Sequence, residues 1–486
     1  MRAPGFFMHL PFARSSLSLA VGLLAGCTLL TPPPSEQLRQ DALPNASVPQ
    51  QWKQPAEPGA VVDSGFGNFN DPALEALIRE ALTYNVDLRA GAARVEQARG
   101  YVTVAGADLQ PGVAAMAKGG GKWSGDYSGM QNALIGATWE IDVWGRQRYG
   151  ARAASDDYAS AQLDFDFARQ SLAAWVVRSW LLAVQGTQQE SLLQEMVQSA
   201  SKLMDMTQQR LKSGIGNDQE VMQAQASLGE YRDRLRQTQL ARTQALLALE
   251  VLLGRYPAAD VQTAARLPAM PAPVPAGLPS ELLERRPDVV AAERRVAAAF
   301  NRTGEARAAR LPKISLTATF GAVSSDLIVL QDKDNPTAGL GGSLLWPLFT
   351  GGALQAKVDI RTAEQQEAVA GYAAVGLRAF NEVESALASE TALRERQAIL
   401  DRVVSDSRRS MDLATVQYKV GRSDLRSVLQ EQMRLVNTQL SLLQVESERL
   451  TQRVNLHLAL GGGFGTLLAS TPTEPPALAS PAQPAS

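Results

Sequence analysis

Two stretches of the chain alternate apolar and polar residues one by one. In the first, Ala133, Ile135, Ala137, Trp139, Ile141 and Val143 fall on one face, and Gly136, Thr138, Glu140 and Asp142 on the other. In the second, Ile314, Leu316, Ala318, Phe320 and Ala322 alternate with Ser315, Thr317 and Thr319. Leu340, Gly342, Leu344, Trp346 and Leu348 then make a return strand. A period of two is a strand signal. An apolar face opposite a carboxylate-bearing one suits a barrel with lipid outside and water inside. A soluble amphipathic hairpin packed on a core is the competing interpretation. The pattern predicts strand hairpins over 113–144 and 314–349.

Helical periodicity surrounds both hairpins. A helix interior rejects proline at about 3 kcal/mol. No proline occurs between Pro111 and Pro257, or between Pro347 and Pro472. The reading is a helix from about Ala73 to Asp108, long helices over 146–213 and 354–420, and return helices over 218–254 and 424–461. At 1.5 Å per residue each long helix would span roughly 100 Å. Gly214 and Gly421 are natural C-cap positions, and Asp218 and Ser423 or Asp424 can cap the returning helices. Leu429, Val436, Leu443 and Leu450 form a seven-residue ladder, flanked by Val428, Leu435 and Leu442. Such a 3.5 period marks coiled-coil packing. In the first half the match is partial, at Leu228 and Leu235.

These elements occur twice. Arg210-Leu-Lys-Ser-Gly214 and Gln417-Tyr-Lys-Val-Gly421 lie 207 residues apart, as do Val221-Met-Gln-Ala-Gln225 and Val428-Leu-Gln-Glu-Gln432. Asp87 and Asp288 lie 201 apart, as do Pro111 and Pro312. The chain therefore reads as two copies, repeat 1 over 71–256 and repeat 2 over 281–462, joined by a Pro-rich connector over 257–280.

The ends read differently. An apolar run from Leu17 to Ala25, preceded by Arg14, has the grammar of a signal peptide. It closes on Leu24-Ala25-Gly26-Cys27, which resembles the lipobox of bacterial lipoproteins. That resemblance implies removal of residues 1–26, with a diacylglyceryl group and an N-acyl chain on Cys27. Translation starts at Met1 or Met8. Residues 27–70 read as an extended strap, and 463–486 as a disordered tail.

Composition excludes several alternatives. A formal charge of −2 gives no basic field for nucleic acid. With one cysteine and two histidines, His9 and His457, the chain cannot form an intrachain disulfide or a His/Cys metal cluster. His457 sits in a helical pattern ending at Gly461-Gly462-Gly463 and reads as structural, and no other cofactor is called for. Four strands cannot close a barrel, for which about eight is a practical minimum. Open edges in lipid cost several kcal/mol per unpaired group. The strands must therefore close between chains, and two, three or four copies satisfy the arithmetic.

The mature chain resembles the outer-membrane factor family of the TolC and OprM type, particularly its lipoprotein branch. The residues that carry the resemblance are Leu24-Ala-Gly-Cys27, Trp139-Glu-Ile-Asp-Val-Trp-Gly-Arg146, Glu284-Arg-Arg-Pro-Asp288, Ala309-Arg-Leu-Pro312 and Trp346-Pro-Leu-Phe-Thr-Gly-Gly352. It implies a mainly α fold with membrane β: four strands per protomer in a twelve-stranded trimeric barrel, above a coiled-coil-like helical periplasmic barrel. It implies a non-enzymatic exit duct in the outer membrane of a Gram-negative bacterium, working with a periplasmic adaptor (membrane fusion protein) and an inner-membrane pump of the RND type. The family often closes its periplasmic end with aspartates, but here those positions fall on Gln430 and Ser427, with Asp424 and Glu431 nearby. Gly214, Gly216, Asn217, Gly421, Arg422 and Ser423 are the expected adaptor-docking tips. Type I protein secretion, a periplasmic adaptor lipoprotein and a lipid-anchored enzyme are the rival readings.

Overall fold

The computed structural model describes residues 29–59, 61, 69, 71–118, 131–324 and 336–462. Cys27, the lipobox and the tail over 463–486 lie outside the described residues. The chain divides into two compact units. The first comprises Met1–Pro44, Val95–Ala161 and Ala291–Ala373, and the second Asn45–Arg94, Gln162–Val290 and Ala374–Ser486.

The first unit is built on a four-stranded antiparallel sheet in the order β1-β2-β3-β4. Its strands are β1 (Gly112–Lys118), β2 (Gln131–Ile141), β3 (Lys313–Ser324) and β4 (Pro336–Leu345). The two central strands come from different halves of the sequence, with Trp139 opposite Leu316 and Ile141 opposite Ile314. The registers place Val113, Ile135, Trp139, Leu316, Phe320, Leu340 and Leu344 on one face. All seven are exposed, Leu340 at 86%. A water-soluble hairpin would bury such a face on a core; here it is left for lipid. Among the described residues β1 pairs only with β2, and β4 only with β3.

The strands end for local reasons. β4 stops at Leu345, short of the expected Trp346 and Leu348, because Pro347 has no N–H and restricts the residue before it. β2 stops at Ile141, where the Val143 N–H donates back to the Ile141 carbonyl at 2.9 Å. Asp142, expected on the polar face of the strand, instead accepts the backbone N–H groups of Gln147 and Arg148. It caps the long helix α4 (Arg146–Lys212), where the positive end of the helix dipole favours a carboxylate. Glu140 accepts a forked pair from Arg146 at 2.9 Å and fixes the same corner.

The other helices are α1 (Ser35–Ala42), α2 (Pro72–Tyr84), α3 (Val86–Ala107), α5 (Asp218–Leu252), α6 (Pro279–Arg285), α7 (Pro287–Ala308), α8 (Ala353–Lys419) and α9 (Leu425–Ala459). The single helix expected over 73–108 is broken between α2 and α3 by Asn85, whose extended backbone ends one helix and whose side chain caps the next through Asp87 and Leu88. At the equivalent position of the second copy, Pro287 forces Arg286 into extended backbone and separates α6 from α7.

The second unit packs an apolar core around Trp180, Leu181, Val184, Leu249 and Ile78. Arg286 is 1% exposed and holds the Asp288 carboxylate with two hydrogen bonds of 2.9 and 2.8 Å. The same guanidinium reaches Glu382 at 2.6 Å and the Ala459 carbonyl at 3.2 Å. Glu250, fully buried, accepts backbone N–H groups from Ala258, Ala259, Asp260 and Val261 and pins the start of the connector. On α9 the ladder is buried at Val436, Leu443 and Leu450, and His457 continues it seven residues on. Among the described residues no helix is long and apolar enough to cross a membrane.

Candidate functional site

The paired turns that end the long helices hold the candidate tip residues, all within the second unit. After α4, Gly214 adopts φ +72° and the Ile215 N–H reaches back to the Arg210 carbonyl at 3.1 Å. After α8, Gly421 adopts φ +75° and the Arg422 N–H reaches the Gln417 carbonyl at 2.9 Å. Both are left-handed caps that satisfy otherwise orphaned carbonyls. Gly216 is small for another reason: a Cβ there would lie 3.0 Å from the Leu211 backbone nitrogen. The return helices are capped by Asn217, one residue before the expected Asp218, and by Asp424 rather than Ser423. Arg422 is exposed and Ser423 half-buried.

Of the candidate gate residues on α9, Gln430 is exposed. Asp424 and Ser427 engage each other: Asp424 Oδ1 accepts the Ser427 hydroxyl at 2.6 Å and its N–H at 2.9 Å. Those two donors hold the Asp424 carboxyl below its usual pKa. Glu431 is half-buried and faces Arg434 at 3.7 Å.

Near the tips a hydrogen bond ties the two hairpins together. The Tyr418 hydroxyl donates to Glu220 Oε2 at 3.2 Å, and the Arg210 guanidinium lies 4.8 Å from the centre of the Tyr418 ring. Tyr418 is 1% exposed, packed with Leu203, Ala224, Ala414, Leu425 and Val428. Burial, followed by the nearby Glu220 charge, raises its pKa. Gln432, fully buried, adds a second link through Ser199 at 3.3 Å. Sequence reasoning missed this set. Its one signal lay in the comparison of the repeats: Tyr418 stands where the first copy has Leu211, so the copies differ in chemistry at the tips. Around the turns Ile215, Met222, Val416 and Val420 leave more than half of their surface exposed.

A sheet with a lipid-facing side and, among the described residues, two unpaired edges, together with long helical hairpins, defines the protomer of an outer-membrane channel whose barrel closes between copies. The chain belongs to the outer membrane efflux protein family, whose model matches residues 77–255 and 278–462. It is 31% identical over 472 residues to the probable efflux pump outer membrane protein TtgC of Pseudomonas putida, covering 93% of this chain and 96% of that one. The outer-membrane channel OprN superposes with a TM-score of 0.80 at 26% identity, over 87% of this chain and 99% of that one. VceC of Vibrio cholerae superposes with a TM-score of 0.78 at 25% identity, over 83% and 100%. The protein is therefore an outer-membrane component of an efflux system.

Proposed function

We propose that three copies of this chain close a twelve-stranded barrel and form the passive exit duct of a tripartite efflux system for drugs or other small toxic solutes. The observation that carries this reading is the sheet itself, with an exposed apolar face and an unpaired strand at each edge. Energy comes from an inner-membrane pump of the RND type, joined through a periplasmic adaptor that meets the hairpin tips around Gly214, Gly216, Asn217, Gly421, Arg422 and Ser423. The exposed Ile215, Met222, Val416 and Val420 give that contact an apolar component. Gln430 lines the closed periplasmic end with neutral hydrogen-bonding groups. Asp424, Ser427 and Glu431 stand behind it, the first two engaged in capping α9.

The Tyr418–Glu220 link holds the α8–α9 hairpin against the α4–α5 hairpin in the closed state, and the duct opens when that link is released. The residues 71–256 and 281–462 are duplicated halves, supported by their matched helices of 67 and 35 residues. Cys27 carries the diacylglyceryl and N-acyl groups that anchor the mature chain in outer-membrane lipid. Efflux is preferred over protein secretion because TtgC, similar along nearly the whole chain, bears an efflux-pump name. The test is complementation of a strain lacking its own efflux duct, with unheated gel electrophoresis of its membranes. The reading requires restored drug resistance and a heat-dissociable trimer; a monomer, or resistance unchanged at normal trimer levels, refutes it.

A further inference from the structure

Within the first unit, a cavity of about 250 Å³ opens beside the beginning of the strap. It is lined by Leu30, Trp144, Tyr149, Phe300, Leu311 and Arg307, among others. Its character is apolar at the rim, where Leu30 is 62% exposed and Trp144 and Leu311 are each 39% exposed. The wall is rigid. The Leu30 N–H donates to the Tyr149 hydroxyl at 2.9 Å, and the Trp144 indole N–H donates to the Pro312 carbonyl at 2.8 Å. At Gly304 a Cβ would come within 2.7 Å of the Tyr149 ring, so a glycine is needed for the ring to lie there. The Thr303 hydroxyl, the polar group deepest in the wall, is already engaged with the Ala299 and Arg361 carbonyls. Arg307, at the exposed edge, has no side-chain hydrogen bond or ion pair among the described residues.

The volume is below the roughly 300–1,000 Å³ usual for drug-sized solutes. A cargo site is therefore a poor explanation. A narrow apolar chain headed by carbonyl acceptors fits better: the chain meets Leu30, Phe300 and Leu311, and the acceptors meet Arg307. Such a group lies close by in the sequence. Cys27 precedes Leu30 by three residues, and an extended chain covers at most about 10 Å over that distance. We propose that this cavity seats the carbonyl end and first methylenes of one acyl chain of the lipid on Cys27, the remainder running out past the rim, with the Arg307 guanidinium donating to the lipid's ester or amide carbonyl. The strap is thereby held at the foot of the barrel rather than tethered loosely to the bilayer. This inference rests on the lipidation of Cys27 stated above.

The test feeds cells a palmitate analogue carrying a photoreactive diazirine, irradiates them, and maps cross-links in the purified trimer by mass spectrometry. The expected result is a cross-link from the Cys27 peptide to the segment 300–311 of the same chain. Leu311→Trp, which fills the rim from its exposed side, and Arg307→Glu, which removes the donor, are each expected to lower its yield. The expected fall is roughly tenfold, equivalent to about 1.4 kcal/mol. A labelled Cys27 peptide that cross-links only to membrane lipid overturns the seat and leaves the anchor standing. A missing label on that peptide overturns both. Mixing isotopically heavy and light protomers separates a seat within one chain from one supplied by a second copy, and cross-links found solely between copies also overturn the proposal.

Discussion

The Tyr418 hydroxyl and the Glu220 carboxylate, 198 residues apart in sequence, meet at 3.2 Å and join the two hairpins beside the Arg210 guanidinium. A hydrogen bond to a charged acceptor contributes about 1.5–3 kcal/mol when well shielded, and less here because Glu220 is half-buried. Tyr418→Phe and Glu220→Gln are expected to raise single-channel conductance or open time in planar bilayers without lowering trimer yield. Wild-type conductance in both variants would remove the link from the gate. The pH dependence has a definite sign. The phenol's folded pKa is raised, by burial first and then by the Glu220 charge. Its contribution is therefore complete below the ordinary tyrosine value of about 10 and is lost as pH rises through the higher folded value. Opening with increasing alkalinity should begin above pH 10, and Tyr418→Phe should abolish it.

Gly214 and Gly421 combine a left-handed backbone with open space, since a Cβ at either meets nothing within 4 Å. Alanine there should cost only about 1–2 kcal/mol, the penalty for an L-residue in that conformation. Tryptophan would also project a bulky ring from the tip. Gly214→Trp and Gly421→Trp should therefore abolish drug resistance at unchanged trimer levels. Susceptibility tests paired with immunoblots would measure this, and full resistance in both variants would rule out docking at the turns.

Gln430 places a neutral amide where a carboxylate would attract cations. Gln430→Asp should make closed-state conductance dependent on divalent cations and on pH, because three like charges in a ring bind cations and resist shared ionisation. An unaltered response to magnesium would mean that the side chain does not face the constriction.

Arg286 is the only side chain that touches Asp288, Glu382 and the Ala459 carbonyl together among the described hydrogen bonds. Removing it leaves a buried carboxylate without its partner, which typically costs about 3–5 kcal/mol. Arg286→Met should lower the temperature of trimer dissociation sharply, and adding Asp288→Leu should recover part of the loss. A double variant as unstable as the single one would show that packing, rather than the orphaned charge, sets the cost.

Glu250 should be sensitive to acid. Burial alone would raise its pKa, but the backbone donors of Ala259, Asp260 and Ala258 outweigh burial and hold it below the ordinary value. A lowered folded pKa means that the stabilisation is present above the unfolded value near 4.3 and disappears as pH falls through the folded one. Glu250→Ala leaves four backbone donors to find other partners, at about 1–3 kcal/mol for any that stay buried. Thermal melts of the two proteins should differ at pH 7 and converge once the pH has fallen through the lowered folded pKa.

The fold was legible wherever a pattern repeated. The period of two at Ile135, Trp139, Leu316 and Phe320 announced one continuous apolar face, and the proline-free stretches announced the long helices. What stayed hidden depended on single side chains. Asp142 continues the alternation of β2, yet the nearby α4 N-terminus claims its carboxylate. Asn85 looks like an unremarkable helical residue until its side chain caps α3 and donates to the Leu252 carbonyl. At the tips, the left-handed glycines were evident from Gly214 and Gly421. The Tyr418–Glu220 pairing was not, because the two residues lie 198 positions apart and only tertiary packing brings them together.

The unpaired edges of β1 and β4 have a consequence for biogenesis. A lone protomer has no way to satisfy those backbone groups inside a bilayer, so a half-inserted subunit is not a resting state. Entry into the membrane and association with sister subunits must then be a single concerted event. Channel production should rise more steeply than linearly with the supply of newly exported chains, and an edge-defective subunit supplied in equal amount should leave only about one trimer in eight intact.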